Sequence, residues 1–349
     1  MKRTIIETLK GLVGAGLKAR YGDKPDKRVK LRVMWELKHI IDVGFANSYV
    51  MGFWIFRQMA EPAGIHFWAR GATASSIVCY CLGLTEIDPL RYGLHSVRFV
   101  NDKPPKFQFD IESSRMDEFM QMAEKCLSAN AKDIDVESVR KSLMQDLTPK
   151  EYLSRRRERP LPENIDDELA RYALYFPDTM DLYQAYVRQP SSFDGIIYQE
   201  QMMDILRETF HTSGIKANTI RLAIQRGEAE RVEAYKQELF AGLKNITKEE
   251  AETAWQHLTS NPRAFLKAHA VSYVLASYKY KMNSKNNCVL SPETKLIMRT
   301  IILIILTAGL YLVWIFYKSN SEFIPFEPIS LEEGTMISPE GDTENNSKN

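Results

Sequence analysis

Apolar residues recur at helical spacing through most of this chain, and the stretches that alternate instead are short. The pattern predicts helices over about 29–43, 48–60, 74–82, 116–127, 164–175, 198–210, 217–225, 228–244, 248–259, 264–281 and 292–318. Strands are expected at only three places, 96–100, 106–111 and 195–197. Thr247 and Glu250 stand at the spacing of a capping box, and Asn261-Pro262 closes the helix they open. Pro62 and Gly64 likewise stop the helix that passes through Tyr49. The fold class expected is α+β and mostly helical, a small sheet flanked by helices and then an almost wholly helical second part.

One run departs from this amphipathic pattern. From Thr300 to Tyr317 no residue is charged, and counting back to Leu296 gives about 22 residues interrupted only by Arg299. A helix of that length covers roughly 30 Å, the hydrocarbon thickness of a bilayer, whereas a core helix this long would keep a polar face. Ser291-Pro292 supplies an N-cap and a first-turn proline, and Tyr311, Trp314 and Tyr317 gather toward the far end as interfacial aromatics do. One transmembrane helix is therefore expected over 291–318, with the membrane contacted by residues 296–317 and a disordered acidic tail over 319–349. Lys279, Lys281, Lys285, Lys295 and Arg299 precede the run, while Glu322, Glu327, Glu332 and Glu333 follow it, which puts the N-terminal part in the cytoplasm. Met1 to Arg20 is basic and amphipathic and lacks the apolar centre of a signal peptide.

Composition fits a globular body. In 349 residues, 44% hydrophobic and 11% aromatic content is enough for the cores of two modest domains. A formal net charge of +1 is weak for a nucleic-acid binder. Lys and Arg are nonetheless dense before residue 45 and again at Arg155, Arg156, Arg157 and Arg159. A solvated loop is the commoner explanation of that arginine run, phosphate contact the sharper one. Cys79, Cys81, Cys126 and Cys288 have no metal-ligand spacing and read as reduced thiols of a cytoplasmic domain.

The candidate chemistry lies between Ala69 and Glu112, ARGATASSIVCYCLGLTEIDPLRYGLHSVRFVNDKPPKFQFDIE. This stretch resembles the palm core of the alpha subunit of bacterial DNA polymerase III. There, an Arg-Gly turn, a small-residue helix and a Leu-Gly-Ile-Thr-Asp-Ile-Asp-Pro-Leu phrase lead into a strand bearing alternate aspartates. Further resemblances follow in family order: LKARYG (17–22) and WELKHIIDVGF (35–45) before it, then NIDDELARYALYFP (164–177), GIIYQEQMMDIL (195–206), TIRLAIQRGEAE (219–230) and AFLKAHAVSYVLASYKYKM (264–282). Together they cover roughly residues 15–283. The resemblance implies a palm-like part at 1–116, a short connector at 117–163 where the family has a thumb, and a returning palm segment with helical fingers at 164–290. It also implies a bacterial inner membrane for the expected single-pass span. Relative to the family, an N-terminal phosphoesterase-type domain and the C-terminal clamp-binding, helix-hairpin-helix and OB-fold regions are expected to be missing.

The family's strand matters because residues i and i+2 point to one face, so two carboxylates there can hold a pair of Mg²⁺ ions about 3.5–4 Å apart. Lys106 and Gln108 occupy those two positions here, a cation and a poor Mg²⁺ ligand. The resemblance leaves Asp110 as the third acid of the strand and places Asp167 on the position of the third catalytic aspartate. A slipped register could make Asp110 and Glu112 the metal pair, but ordinary strand-end acids is the favoured reading. As nucleotide or DNA contacts the resemblance offers Arg70, Gly71, Arg226, Lys267 and His269, with Ala72 where a phosphate-facing serine should be. Arg70 and Lys267 read equally well as salt-bridge partners, and His269 as a satisfied core residue. The function implied is a degenerate polymerase III alpha-like protein, not a competent polymerase, anchored to the membrane and binding DNA or nucleotide, with replisome or other protein partners left open. No cofactor is expected, or Mg²⁺ if polymerase activity remains. The alternative is an active DNA-directed DNA polymerase using Asp110, Glu112 and Asp167.

Overall fold

A capping box made by Thr4 and Glu7 starts the first helix, α1 (Ile5–Tyr21), whose buried residues Leu9 and Val13 face the core. Asp26 caps α2 (Lys27–Asp42), accepting from the Arg28 amide at 2.6 Å. α3 (Ala46–Gly52) runs without a break into a wider π-helical segment, Phe53–Ala60. The computed structural model describes residues 4–155 and 159–280.

Three short strands follow, β1 (Phe67–Ala69), β2 (Gln108–Glu112) and β3 (Asp146–Lys150), with α4 (Ile77–Cys81), α5 (Met116–Ala129) and α6 (Val136–Met144) between them. β2 is central, antiparallel to β1 and parallel to β3. Alternation splits the sheet into two faces. Ala69, Phe109 and Ile111 enter a core shared with the first six helices, where Phe56 stacks on Phe109 with ring centroids 3.9 Å apart. Trp68 and Asp110 lie in register on the opposite face, beside Thr148.

That second face is covered by later chain. α7 (Ile165–Leu174) and α13 (Lys267–Lys279) pack over it, and the Trp68 indole donates to the Ser272 carbonyl at 2.9 Å. α8 (Met180–Arg188) adjoins α7. α9 (Gln199–Glu208), α10 (Gly214–Arg226), α11 (Ala229–Ala241) and α12 (Lys248–Thr259) form a separate apolar cluster around Met202, Met203, Leu206, Ile220 and Trp255.

The fold is mostly helical α+β with a small sheet, and several expectations need correction. The strand expected at 96–100 is a 3₁₀ turn at Ser96–Arg98, and 195–197 forms no strand, an isolated bridge following it between Tyr198 and Phe265. β2 begins at Gln108, so Lys106 lies before the ladder. The transmembrane helix expected over 291–318 is withdrawn from the fold. Among the described residues no helix is long and apolar enough to cross a membrane, because the helices divide into buried and charged faces. The single-pass inner-membrane placement and the membrane contact at 296–317 are withdrawn with it. Those residues and the expected tail lie outside the described ones, as does 156–158 of the arginine run.

Candidate active site

The turn after β1 is built on Gly71. Its φ of +59° suits glycine, and a Cβ there would stand 2.0 Å from Gln108 Oε1. The Arg70 amide donates to the Gln108 carbonyl at 2.9 Å, and the Gln108 amide donates to Thr73 Oγ1 at 2.9 Å. Gln108 is thereby the point where turn and central strand are sewn together. Lys106, two residues earlier, is exposed.

Asp110 is fully buried at the middle of the sheet. One carboxylate oxygen accepts from Arg70 Nε at 3.0 Å and the other from the Tyr152 hydroxyl at 2.5 Å. Burial raises its pKa above the ordinary carboxylate value, against the lowering effects of the Tyr152 hydrogen bond and the Arg70 charge. Arg70 goes further, donating from Nη2 to Thr148 Oγ1 at 2.8 Å and to the Asp146 carbonyl at 3.1 Å. It ties all three strands together, and its ion pair with Asp110 is the kind of contact the salt-bridge reading describes. Glu112 turns to the strand end, accepting from Ser114 Oγ at 3.0 Å and from the His66 amide at 3.4 Å.

Asp167 belongs to another network. It sits in the first turn of α7, where Asn164 accepts from its amide at 3.2 Å. Its carboxylate accepts from Arg171 Nε at 2.8 Å and the Tyr186 hydroxyl at 3.0 Å, and the Arg171 hydrogen bond holds its pKa below the ordinary value. Neither acid shares a hydrogen-bond partner with the other. The Mg²⁺ pair of a polymerase palm does not fit these residues: Asp110 has both oxygens engaged, Gln108 offers a neutral amide where a carboxylate is needed, and Lys106 brings a positive charge. Among the described residues no three His, Cys, Asp or Glu side chains gather as a metal site.

The basic candidates divide into three places. His269 lies by the Asp110 network, its ring centroid 4.6 Å from that of Tyr273 and 5.6 Å from that of Phe265. Burial, then the charges of Arg70 and Lys150, lower its pKa to about 4, so it is neutral at neutral pH. Lys267 lines a groove of about 560 Å³ together with Asp166, Asp167, Tyr186, Tyr198 and Gln201, its ammonium 5.4 Å from the centre of the Tyr198 ring. Arg226, at the end of α10, is exposed and 3.6 Å from Glu228, in neither place.

Sequence reasoning missed the most deeply buried cation among the described residues and the arginine beside it. Arg221 is fully buried on α10 and, among the described residues, hydrogen-bonded only to Asn218 and Gln225 of its own helix. Burial, then repulsion from Arg98, lowers its pKa to about 9. Arg98 donates to Asn218 at 2.9 Å and to Gln199 at 2.7 Å, while its Nε and the buried Glu200 Oε1 have no partner among the described residues. Glu200 Oε2 accepts from the Lys267 amide at 3.0 Å, and Gln201 accepts from the amides of Ile197 and Tyr198 at 2.8 and 2.7 Å. The Tyr-Gln-Glu-Gln phrase at 198–201 is thus a joint between α9, Arg98 and α13. The available signal for Arg221 was its place among the apolar positions Ala217, Ile220 and Ile224 of α10. Asp146 was also missed, opposite Gln108 on β3.

Comparison with known proteins addresses the same two parts of the chain. Residues 7–152 match the bacterial DNA polymerase III alpha NTPase domain, and residues 154–247 match the bacterial DNA polymerase III alpha subunit finger domain. Over 116 residues, 32% of this chain, it is 38% identical to an error-prone DNA polymerase of Anaeromyxobacter sp. (strain K), covering 10% of that protein. It is 38% identical over 121 residues, 34% of the chain, to the error-prone DNA polymerase of Cutibacterium acnes, and 33% identical over 122 residues, also 34%, to that of Caulobacter vibrioides. The shares covered of those two are 10% and 11%, so the chain spans about a tenth of the length of the relatives it matches.

Proposed function

The chain belongs to the bacterial DNA polymerase III alpha family, and from that premise we propose that its palm has lost metal-dependent nucleotidyl transfer while its basic residues still bind nucleotide or DNA. The observation that carries the first half is the engagement of Asp110 by Arg70 and Tyr152. Two-metal phosphoryl transfer needs carboxylates free to bridge two cations. Here the acid on the central strand instead neutralises an arginine, and its would-be partners are Gln108 and Lys106. Freeing Asp110 for a metal would leave Arg70 facing a buried strand junction without its anion.

Phosphate binding is supported by a cation of the second half of the chain. Lys267 presents its ammonium to the groove beside Tyr198. A phosphoryl group entering that groove would meet the Lys267 ammonium, a contact that charge-assisted hydrogen bonding rewards.

Primer extension with the full-length chain in Mg²⁺ tests the first half, with Asp110→Asn and Asp167→Asn as comparisons. No extension above background is expected. Extension abolished by either substitution would establish the active-polymerase alternative and end this reading. Binding of a fluorescent deoxynucleoside triphosphate and of a primer-template tests the second half. Lys267→Ala is expected to weaken at least one of them by about tenfold or more, and retention of full affinity for both would remove the binding claim.

A further inference from the structure

The exposed face of α2 carries an apolar and basic surface that the palm reading leaves unused. Arg28, Leu31, Arg32 and Trp35 fall at helical spacing on one stripe, with Met34 beside it. Leu31 is 55%, Met34 66% and Trp35 39% exposed, and Ile215 at the start of α10 is 44% exposed. Arg28, Arg32, Trp35 and Ile215 line a groove of about 450 Å³ that the chain around Leu94 and His95 closes. None of its lining residues carries a carboxylate.

The charges around this groove leave it positive. Arg28 makes no ion pair among the described residues, and Arg207 lies 3.8 Å from Asp204, which His95 approaches to 3.0 Å. Arg32 is committed to Glu36 and to the carbonyls of Ser75 and Leu94, so it shapes the wall rather than reaching into solvent. Exposed Leu, Met, Ile and Trp side chains beside Arg28 and Arg207 have the composition of a protein interface, in which Trp, Met and Arg are enriched. Nucleic-acid platforms instead stack successive bases on successive aromatics, and this groove has one.

We propose that this groove docks an acidic peptide segment of a partner protein, with apolar anchors of the segment packing on Leu31, Met34, Trp35 and Ile215 and its carboxylates meeting Arg28 and Arg207. The proposal is independent of whether the palm is catalytic. The face of α2 opposite this stripe is already occupied, since Val29, Val33 and Ile40 are buried in the main core.

Fluorescence anisotropy with the full-length chain tests it. The probe is a labelled helix-forming peptide with Glu on one face and Leu on the other, compared with the same peptide carrying Lys for Glu and with a labelled oligothymidylate. Saturable binding of the acidic peptide is expected, weakened about tenfold or more by Trp35→Ala and by the double variant Arg28→Glu/Arg207→Glu. The double variant is also expected to gain binding of the Lys peptide, a gain that a misfolded chain could not give. Absence of acidic-peptide binding, or binding indifferent to both variants, would overturn the proposal. So would tighter binding of the oligothymidylate at the same residues, or self-association of the chain that the same variants abolish.

Discussion

Asp110 and Arg70 form a buried pair in which each satisfies the other, and Tyr152 completes the set. Removing one member leaves a charge in the interior, so Arg70→Ala is expected to cost about 3–5 kcal/mol in denaturant unfolding. Asp110→Asn in that background should recover part of the loss, and the coupling from a double-mutant cycle measures the pair directly. Tyr152→Phe removes one hydrogen bond to a carboxylate, and a loss of about 1.5–3 kcal/mol is expected by the same measurement. Gly71 sets a different requirement. Gly71→Ala would hold a side chain at a φ of +59° and displace the Gln108 amide, so a cost of roughly 1–2 kcal/mol from the backbone alone is expected. None of these contacts follows from spacing, since Asp110 meets Arg70 across 40 positions and Tyr152 across 42. The sequence therefore showed which acids were absent and could not show what the surviving one was doing.

Elements with local signals were the ones legible in the chain. α12 starts where the Thr247 and Glu250 capping box places it and ends at Thr259. α7 and α9 fall close to their expected limits because amphipathic spacing and their starts agree. β3 was invisible because Asp146-Leu-Thr-Pro-Lys150 contains proline and polar residues, and only its pairing with β2 makes it a strand. The apolar residues near 97–100 misled for the opposite reason, since Val97, Phe99 and Val100 bury themselves from a turn without a ladder. One helix crossing has a narrow tolerance that sequence also hid. A Cβ on Gly16 of α1 would lie 1.8 Å from the carbonyl oxygen of Cys81 at the end of α4. Gly16→Ala must push the two backbones apart, and a loss of at least about 1–3 kcal/mol is expected, read as a lower denaturation midpoint.

For the molecule as a whole, pH provides a global probe of the covered acid face. His269 has a folded pKa of about 4 against an ordinary value of 6.5. Between those values the unfolded chain holds more protons at this position than the folded one, so stability rises with pH there. His269 should thus contribute a loss of stability as pH falls from about 6.5 toward 4. In His269→Gln that part of the acid limb should flatten, as read from unfolding midpoints across the pH range, and an unchanged limb would contradict the burial of the ring. The hydrogen bond from Trp68 to Ser272 has a consequence for folding kinetics. Its partners are 204 positions apart, and α13, which bears Ser272, is the last helix described. On a ribosome, β1 and β2 can pair and fill their inner core early, but their outer face must stay wet until α13 emerges. The sheet face that carries Trp68 and Asp110 is therefore among the last of the described surfaces to leave water, and a chaperone that holds nascent chains should find it open for most of synthesis.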